Sequence, residues 1–263
     1  MLMHELRQNQ RATMIWTISL VAGAALYLSI FPAFVTEADT LRKMLEGFPP
    51  TFRKAFGVTL ESFATVTGFY SMILSYIMLA GSIQAMNLGT SIVSKEERGK
   101  TAEFLLTKPV SRSQILTAKL LAALISLLIT NIVYLVAVPL LLNAMVGAII
   151  DTKTFLLLSF TILFVQLFFL GLGFLVSAWA SKIRSVLAVS LTTVFGFYIA
   201  GALDSIIGNT AIRYLTPFKY FDFAYIVKNS SYEFQFVLIE AVVVILAIVT
   251  SYYVYVKRDI RST

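Results

Sequence analysis

Six long runs free of Asp, Glu, Lys and Arg constrain this chain more than any other feature. They are Thr13–Thr36, Ser62–Ser94, Leu120–Ile150, Thr154–Ser181, Ser185–Leu203 and Ala241–Val256. A helix needs about 20 apolar residues to cross a bilayer. The second and third runs exceed that and so include interface or connection. The sixth falls short and must borrow Gln235–Glu240. The runs therefore predict an all-α, polytopic membrane protein, with spanning helices near 13–35, 66–90, 115–141, 154–180, 186–206 and 235–256. Composition agrees, since 13% of residues are charged against about 25% in soluble domains.

The net charge of +7 is better explained by its distribution than by nucleic acid. With both termini in the cytoplasm, the inner side holds Arg7, Arg11, Lys95, Arg98, Lys100, Lys108, Arg112, Lys119, Lys182, Arg184, Lys257, Arg258 and Arg261. The outer side holds Arg42, Lys43, Arg53, Lys54, Lys153, Arg213, Lys219 and Lys228, on longer loops with most of the acids. That bias is the positive-inside pattern, so no nucleic acid partner is expected. The first apolar run is longer than the 7–15 residues of a signal peptide and is expected to remain as the first span.

Several chemistries have no residues to run on. The chain has no cysteine and one histidine, His4. Neither a metal cluster nor a Ser-His-Asp set is expected. Gly99-Lys100-Thr101 looks like the end of a phosphate-binding loop, but Ser94 stands where the first glycine belongs. No ATP site, catalytic residue, cofactor or metal is thus expected in this chain.

Ionisable groups within spans mark ion pathways because they are costly there. The two candidates are Asp204, at the outer end of span five, and Glu240, about 8 Å inside the outer end of span six at 1.5 Å per residue. Both are read as reaching the outer interface. Neutral polar groups are more numerous. Asn131 and Gln166 are expected to hydrogen-bond between helices, while Tyr76, Gln84 and Asn87 in span two are candidates to line a pathway. Small residues at four-residue spacing mark close helix contacts: Ser19 and Gly23; Gly173, Ser177 and Ser181; Thr192, Gly196 and Ala200. They fit packing within the chain or against a second copy. Pro139 is expected to kink or end span three.

Outside the spans, residues 1–12 read as a short amphipathic helix, with Met1, Leu2, Met3 and Leu6 toward lipid or protein and Glu5, Arg7 and Gln8 toward water. Residues 36–65 form one external loop, broken by Pro49-Pro50. The other, 207–234, is rich in Tyr and Phe and reads as an interfacial aromatic belt.

The cytoplasmic loop 91–114 is the most heavily punctuated. Ser94 and Glu97 have capping-box spacing, Gly99 allows a break, and Thr101 can cap a short turn with Glu103 near its positive end. Ala102, Phe104, Leu105 and Leu106 give that turn an apolar side. Pro109 stops it, and Ser111 with Gln114 restarts the helix. A short helix of this kind suits either a groove of another protein or the lipid surface.

The run Glu97-x-Gly99-x-x-x-Glu103-x-Leu105-Leu106-x-x-Pro109-Val110-Ser111-Arg112, between the second and third of six spans, resembles the cytoplasmic segment of ABC-2-type transporter permeases. The resemblance covers the whole chain. It implies that the short helix is a coupling helix docked in a separate ATPase subunit, which binds ATP and Mg. Glu97, Gly99, Glu103, Phe104, Leu105 and Leu106 would be the coupling residues, and residues 1–12 the interfacial helix beside the same ATPase. It further implies an exporter assembled from two permease copies, or this chain and a relative, among membrane lipids of a prokaryotic cell. The bare, aromatic spans favour a hydrophobic or amphipathic cargo: an antimicrobial or toxic peptide, a drug or a lipid. A sodium-extruding ABC permease and an ion-coupled secondary carrier are the alternatives.

Overall fold

The computed structural model describes residues 1–37, 40, 43–44, 46–49, 65–98, 111–147, 150–180, 183–207 and 210–257. Six long helices dominate: α1 Leu2–Thr36, α2 Val66–Arg98, α3 Arg112–Leu141, α4 Thr152–Trp179, α5 Val186–Ile207 and α6 Phe234–Lys257. No strand occurs among the described residues. All six contain a stretch long and apolar enough to cross a membrane, so the chain is a multi-pass membrane protein. Glu5 of α1 meets Lys119 near the start of α3, and Arg112 donates to the Val256 carbonyl near the end of α6. The start of α1 and the end of α6 therefore lie at one end of the bundle.

Local chemistry accounts for most helix boundaries. The Asp151 carboxylate accepts from the Thr154 backbone N–H and hydroxyl, capping α4. These bonds hold that carboxyl below its ordinary value. The reciprocal capping box between Ser111 and Gln114 starts α3. Pro139 neither breaks nor ends α3. The helix runs two residues past it into a π-turn, Leu142–Val146, which stops at Gly147 with φ +64°.

Helices α2 and α4 form the centre, and glycine is the reason they can. A Cβ on Gly89 would lie 2.5 Å from the Leu170 carbonyl oxygen, and one on Gly173 would lie 2.7 Å from the Met86 oxygen. Backbone thus meets backbone, the contact small residues permit between membrane helices. Ser177 continues the same face, its hydroxyl accepting from the Ser94 N–H at 3.0 Å. The stripe on α5 behaves differently, since a Cβ at Gly196 would find no atom of the described residues within 4 Å.

Three expectations are corrected. Residues 1–12 are not a separate amphipathic helix but the first turns of α1, which is 35 residues long. Nothing in that stretch breaks a helix, and the face it buries is polar. Asn9, Thr13 and Thr17 are covered, Met1 and Met3 are exposed, and Glu5 turns inward to Lys119. Second, Ser94 lies within a helix and not at the start of one. It is 1% exposed inside α2, with its hydroxyl donating to the Thr90 carbonyl. Packing on Ser177 favours continuing the helix over starting a new one there.

Third, residues 210–233 form a folded cap, not an aromatic belt. They comprise a turn of helix Thr210–Arg213, a 3₁₀ turn Pro217–Lys219 and a helix Phe223–Asn229. Phe218, Tyr220, Phe221 and Ile226 are buried in protein. Arg213 fastens the cap by donating to Glu233 at 2.8 Å and to the Lys219 carbonyl at 3.1 Å, with its guanidinium 4.0 Å over the Phe236 ring. Tyr232 donates to the Leu157 carbonyl of α4. The phenols of Tyr220 and Tyr232 are held above their ordinary pKa, chiefly by this burial.

Candidate functional site

Three polar features sit in this apolar frame. The first is a network across four helices in the bundle interior. The Gln84 amide on α2 donates to the Thr130 hydroxyl of α3 at 2.9 Å, which shares a hydrogen bond with Thr17 of α1 at 2.9 Å. Gln166 of α4 donates to Gln84 Oε1 and to the Gly81 carbonyl, each at 3.4 Å. Asn131 of α3 donates to Gln166 Oε1 at 2.6 Å. Every side chain in this set is nearly or fully buried. Asn131 and Gln166 therefore bridge helices, and Gln84, expected on a pathway, belongs to the same network.

The second feature is a crevice of about 280 Å³ between α1 and α2, at the end bearing the termini. Gln84 closes its deep end, and Asn87 and Ser91 line the α2 wall opposite Asn9 and Thr13 of α1. Tyr76 is not in it. That ring stacks on Tyr27, with centroids 5.8 Å apart and planes 7° apart. The three pathway candidates are therefore not brought together.

Bonded to two residues of the crevice wall, Glu5 and Ile92, is a group that the sequence shows only as one of the inner-side charges. Lys119, in the second turn of α3, is 1% exposed. Its ammonium donates to the Ile92 carbonyl of α2 at 2.8 Å and lies 3.4 Å from the Glu5 carboxylate of α1. Removing such a charge from water costs several kcal/mol on the order of the effective penalty in proteins, so its partners are structural necessities. The signal was present in the sequence as a lone lysine after an apolar turn. Its burial was not readable there, because the partners come from two other helices.

The third feature, at the far end, is a vestibule of about 690 Å³ between α2, α5 and the cap. Met72, Tyr198, Phe218 and Phe221 supply apolar wall, while Asp204, Arg213, Lys219 and Lys228 supply charge. Burial holds the Lys219 ammonium below its ordinary pKa. Asp204 and Asp222 oppose that shift, and Arg213 adds to it. Asp204 thus faces a cavity. Glu240, expected near the interface, is instead 4% exposed within α6, and its Oε1 has no hydrogen-bond partner within the described residues.

Among the proposed coupling residues, Gly99, Glu103, Phe104, Leu105 and Leu106 lie outside the described residues, as does Pro109. Glu97 falls in the last turn of α2, its side chain undescribed. The helix ends flanking that segment are described, and they lie at the termini end. Among the described residues no group of His, Asp and Glu could hold a metal.

Against known families, the chain matches the one described as "ABC-2 family transporter protein" over residues 2–260. No curated protein matches it.

Proposed function

This chain belongs to the ABC-2 transporter family, and from that premise we propose that it is the permease subunit of an ATP-driven exporter in a prokaryotic cell membrane. The family implies pairing with an ABC ATPase subunit. In our reading that subunit binds ATP and Mg, docks on residues 97–106 from the cytoplasm, and does the hydrolysis. Two copies of the permease pair in the membrane, and the cargo leaves through the end covered by the cap.

The observation that carries this reading is the family match over residues 2–260 together with the folded arrangement at the termini end. There α2 and α3 deliver both ends of the charged segment to the face that also presents the start of α1. The vestibule supports an amphipathic cargo. Its volume of about 690 Å³ falls within the roughly 300–1,000 Å³ of small-molecule sites, and it offers aromatic wall beside charge.

The test is affinity purification of the tagged chain from native membranes, with every stable companion assayed for ATP hydrolysis. An ATPase should accompany the unaltered chain and be lost with Glu97→Lys plus Glu103→Lys. Absence of any ATPase, under conditions that keep other membrane complexes whole, would overturn the reading. Attention would then move to the ion-coupled carrier, whose motivating observation is the buried Glu240 carboxylate. Loss of transport in Glu240→Gln would be its first support.

A further inference from the structure

Lys119 has no task in the function proposed above, yet it is among the largest side chains fully enclosed by the protein. Its position is specific. It lies seven residues after Arg112 begins α3, and Ile92 lies six residues before Arg98 ends α2. The ammonium therefore joins the two helix ends that bracket residues 99–110. Through Glu5 it adds the first turn of α1 to the same point.

Packing around this point is uneven. The crevice of about 280 Å³ separates α1 from α2 there, with Glu5, Asn9 and Thr13 on one wall and Ile92 on the other. The first turns of α1 are thus not held to α2 by interlocked side chains. Farther along, α1 is fixed to α3 by the buried Thr17–Thr130 hydrogen bond. Between Met1 and that bond, the Lys119–Glu5 pair ties α1 to α3, and the Lys119–Ile92 bond carries the tie on to α2. Helix α1 also packs along α3, and the Lys119–Glu5 pair is the charged contact that sets its first turn against the ends of α2 and α3.

We propose that Lys119 is a positioning residue that makes the start of α1 follow the helix ends flanking residues 99–110, so that displacement of that segment reaches the first span. This rests on the ATPase-driven reading above. A merely structural Lys119 would hold the fold together and leave relative motion unchanged.

The absence of cysteine permits a direct test by paired spin labels. One pair, Met3→Cys with Trp179→Cys, reports α1 against α4. The other, Ser113→Cys with Trp179→Cys, reports the start of α3 against α4. All three sites are exposed. Distances are measured in the complex with its ATPase, without nucleotide and with ATP and vanadate.

In the otherwise unaltered chain both distances should change by about 2 Å or more, the scale of helix shifts in switching proteins. In Lys119→Met the Ser113 pair should still respond, while the response of the Met3 pair falls below about 1 Å, the lower end of such helix shifts. Lys119→Arg, which keeps the charge and donors, should restore it. An undiminished Met3 response in Lys119→Met overturns the proposal alone. No response at either pair in the unaltered chain overturns the ATPase-driven reading and this proposal with it. Should Lys119→Met fail to fold, Glu5→Gln gives the same comparison while keeping the Lys119–Ile92 bond. An undiminished Met3 response there is equally fatal to the proposal.

Discussion

Helices α4 and α5 both carry a stripe of small residues and both cross the bundle's apolar zone, yet they are used differently. In its most apolar stretch 61% of α4 is buried within the protomer, against 22% for α5. Gly173 on α4 brings a backbone against Met86 and Thr90, whereas Gly196 on α5 faces open space. The difference teaches that a small-residue stripe states only that something can come close. What comes close is decided by the facing helix, and α2 answers Gly173 with its own Gly89 while nothing among the described residues answers Gly196.

The strongest way to break the comparison is to add one methyl group at its tight end. In Gly89→Ala the new Cβ would lie 2.5 Å from the Leu170 oxygen and 2.9 Å from the Phe174 nitrogen. Neither is a side chain that can swing away, so α2 and α4 must separate along their length. Overpacking of this kind costs roughly 1–3 kcal/mol and occasionally more, and rigid backbone places this site at the upper end. Thermal unfolding in detergent should show a marked fall in midpoint. An unchanged midpoint would mean that the α2–α4 contact is not the centre of the fold.

The cap gives a smaller effect. Arg213→Met removes the ion pair to Glu233, the bond to the Lys219 carbonyl and the cation–π contact with Phe236. Both partners are partly solvated, with side chains 28% and 17% exposed. We expect a loss of about 1–3 kcal/mol, the range for a charge-assisted hydrogen bond whose partner is left unpaired. The loss should be confined to the cap, so protease cleavage within residues 207–234 should rise well before the helices unfold. Cleavage rising equally everywhere would contradict a separately fastened cap.

These two regions also show what sequence could and could not provide. The spans were legible because hydrocarbon selects for uncharged stretches of fixed length. Predicted and observed helices agree to within a few residues at most ends. The exceptions, α1 beginning at Leu2 and α2 running to Arg98, arise where polar residues are buried by neighbours from other helices. Asn9, Ser94 and Lys119 look solvated in one dimension and are enclosed in three. The aromatic segment was misread for the same reason. Tyr and Phe suit a headgroup belt and a packed cap equally well, and only Arg213 reaching Glu233 twenty residues away separates the two. Of the pathway candidates, Gln84 was the least recoverable, because its partners Thr130 and Gln166 come from α3 and α4.

That network sets the next effect in size. Gln166→Leu strands the Asn131 amide, which would keep only its bond to the Leu127 carbonyl, and removes the donor to Gln84. Interhelical hydrogen bonds in membranes average about 0.6 kcal/mol and reach about 1.7. A loss of about 1 kcal/mol is therefore expected by thermal unfolding. Adding Asn131→Leu should recover part of it, since the stranded amide is then gone and the remaining loss is the donor to Gln84 Oε1. Strictly additive losses would mean that the two side chains do not act as a pair.

Lys219 tests the cap electrostatically. Burial lowers its pKa in the folded state. Below the lowered pKa the group is charged in both states and its burial opposes folding in full. As pH rises through the lowered pKa toward the ordinary value of 10.5, the unfolded chain holds more protons than the folded one, and stability rises. The difference in unfolding midpoint between Lys219→Met and the unaltered chain should therefore drift toward the unaltered chain at alkaline pH. A drift in the other direction would place the ammonium in a stabilising ion pair with Asp204 or Asp222.

The smallest effect sharpens the comparison from its open side. Gly196→Ala adds the same methyl group as Gly89→Ala, in the middle of a helix, where none of the described residues lies within 4 Å. The only terms left are backbone freedom and helix propensity, which favour alanine by roughly 0.5–1 kcal/mol. The isolated protomer should become slightly more stable, opposite in sign to its counterpart on α2. If a second copy packs on α5 through this stripe, the same methyl group enters a close contact instead. Measured as unfolding midpoint against protein concentration, Gly196→Ala then raises stability where the chain is dilute and lowers it where copies associate. A rise that is independent of concentration would remove the α5 stripe from any interface between copies.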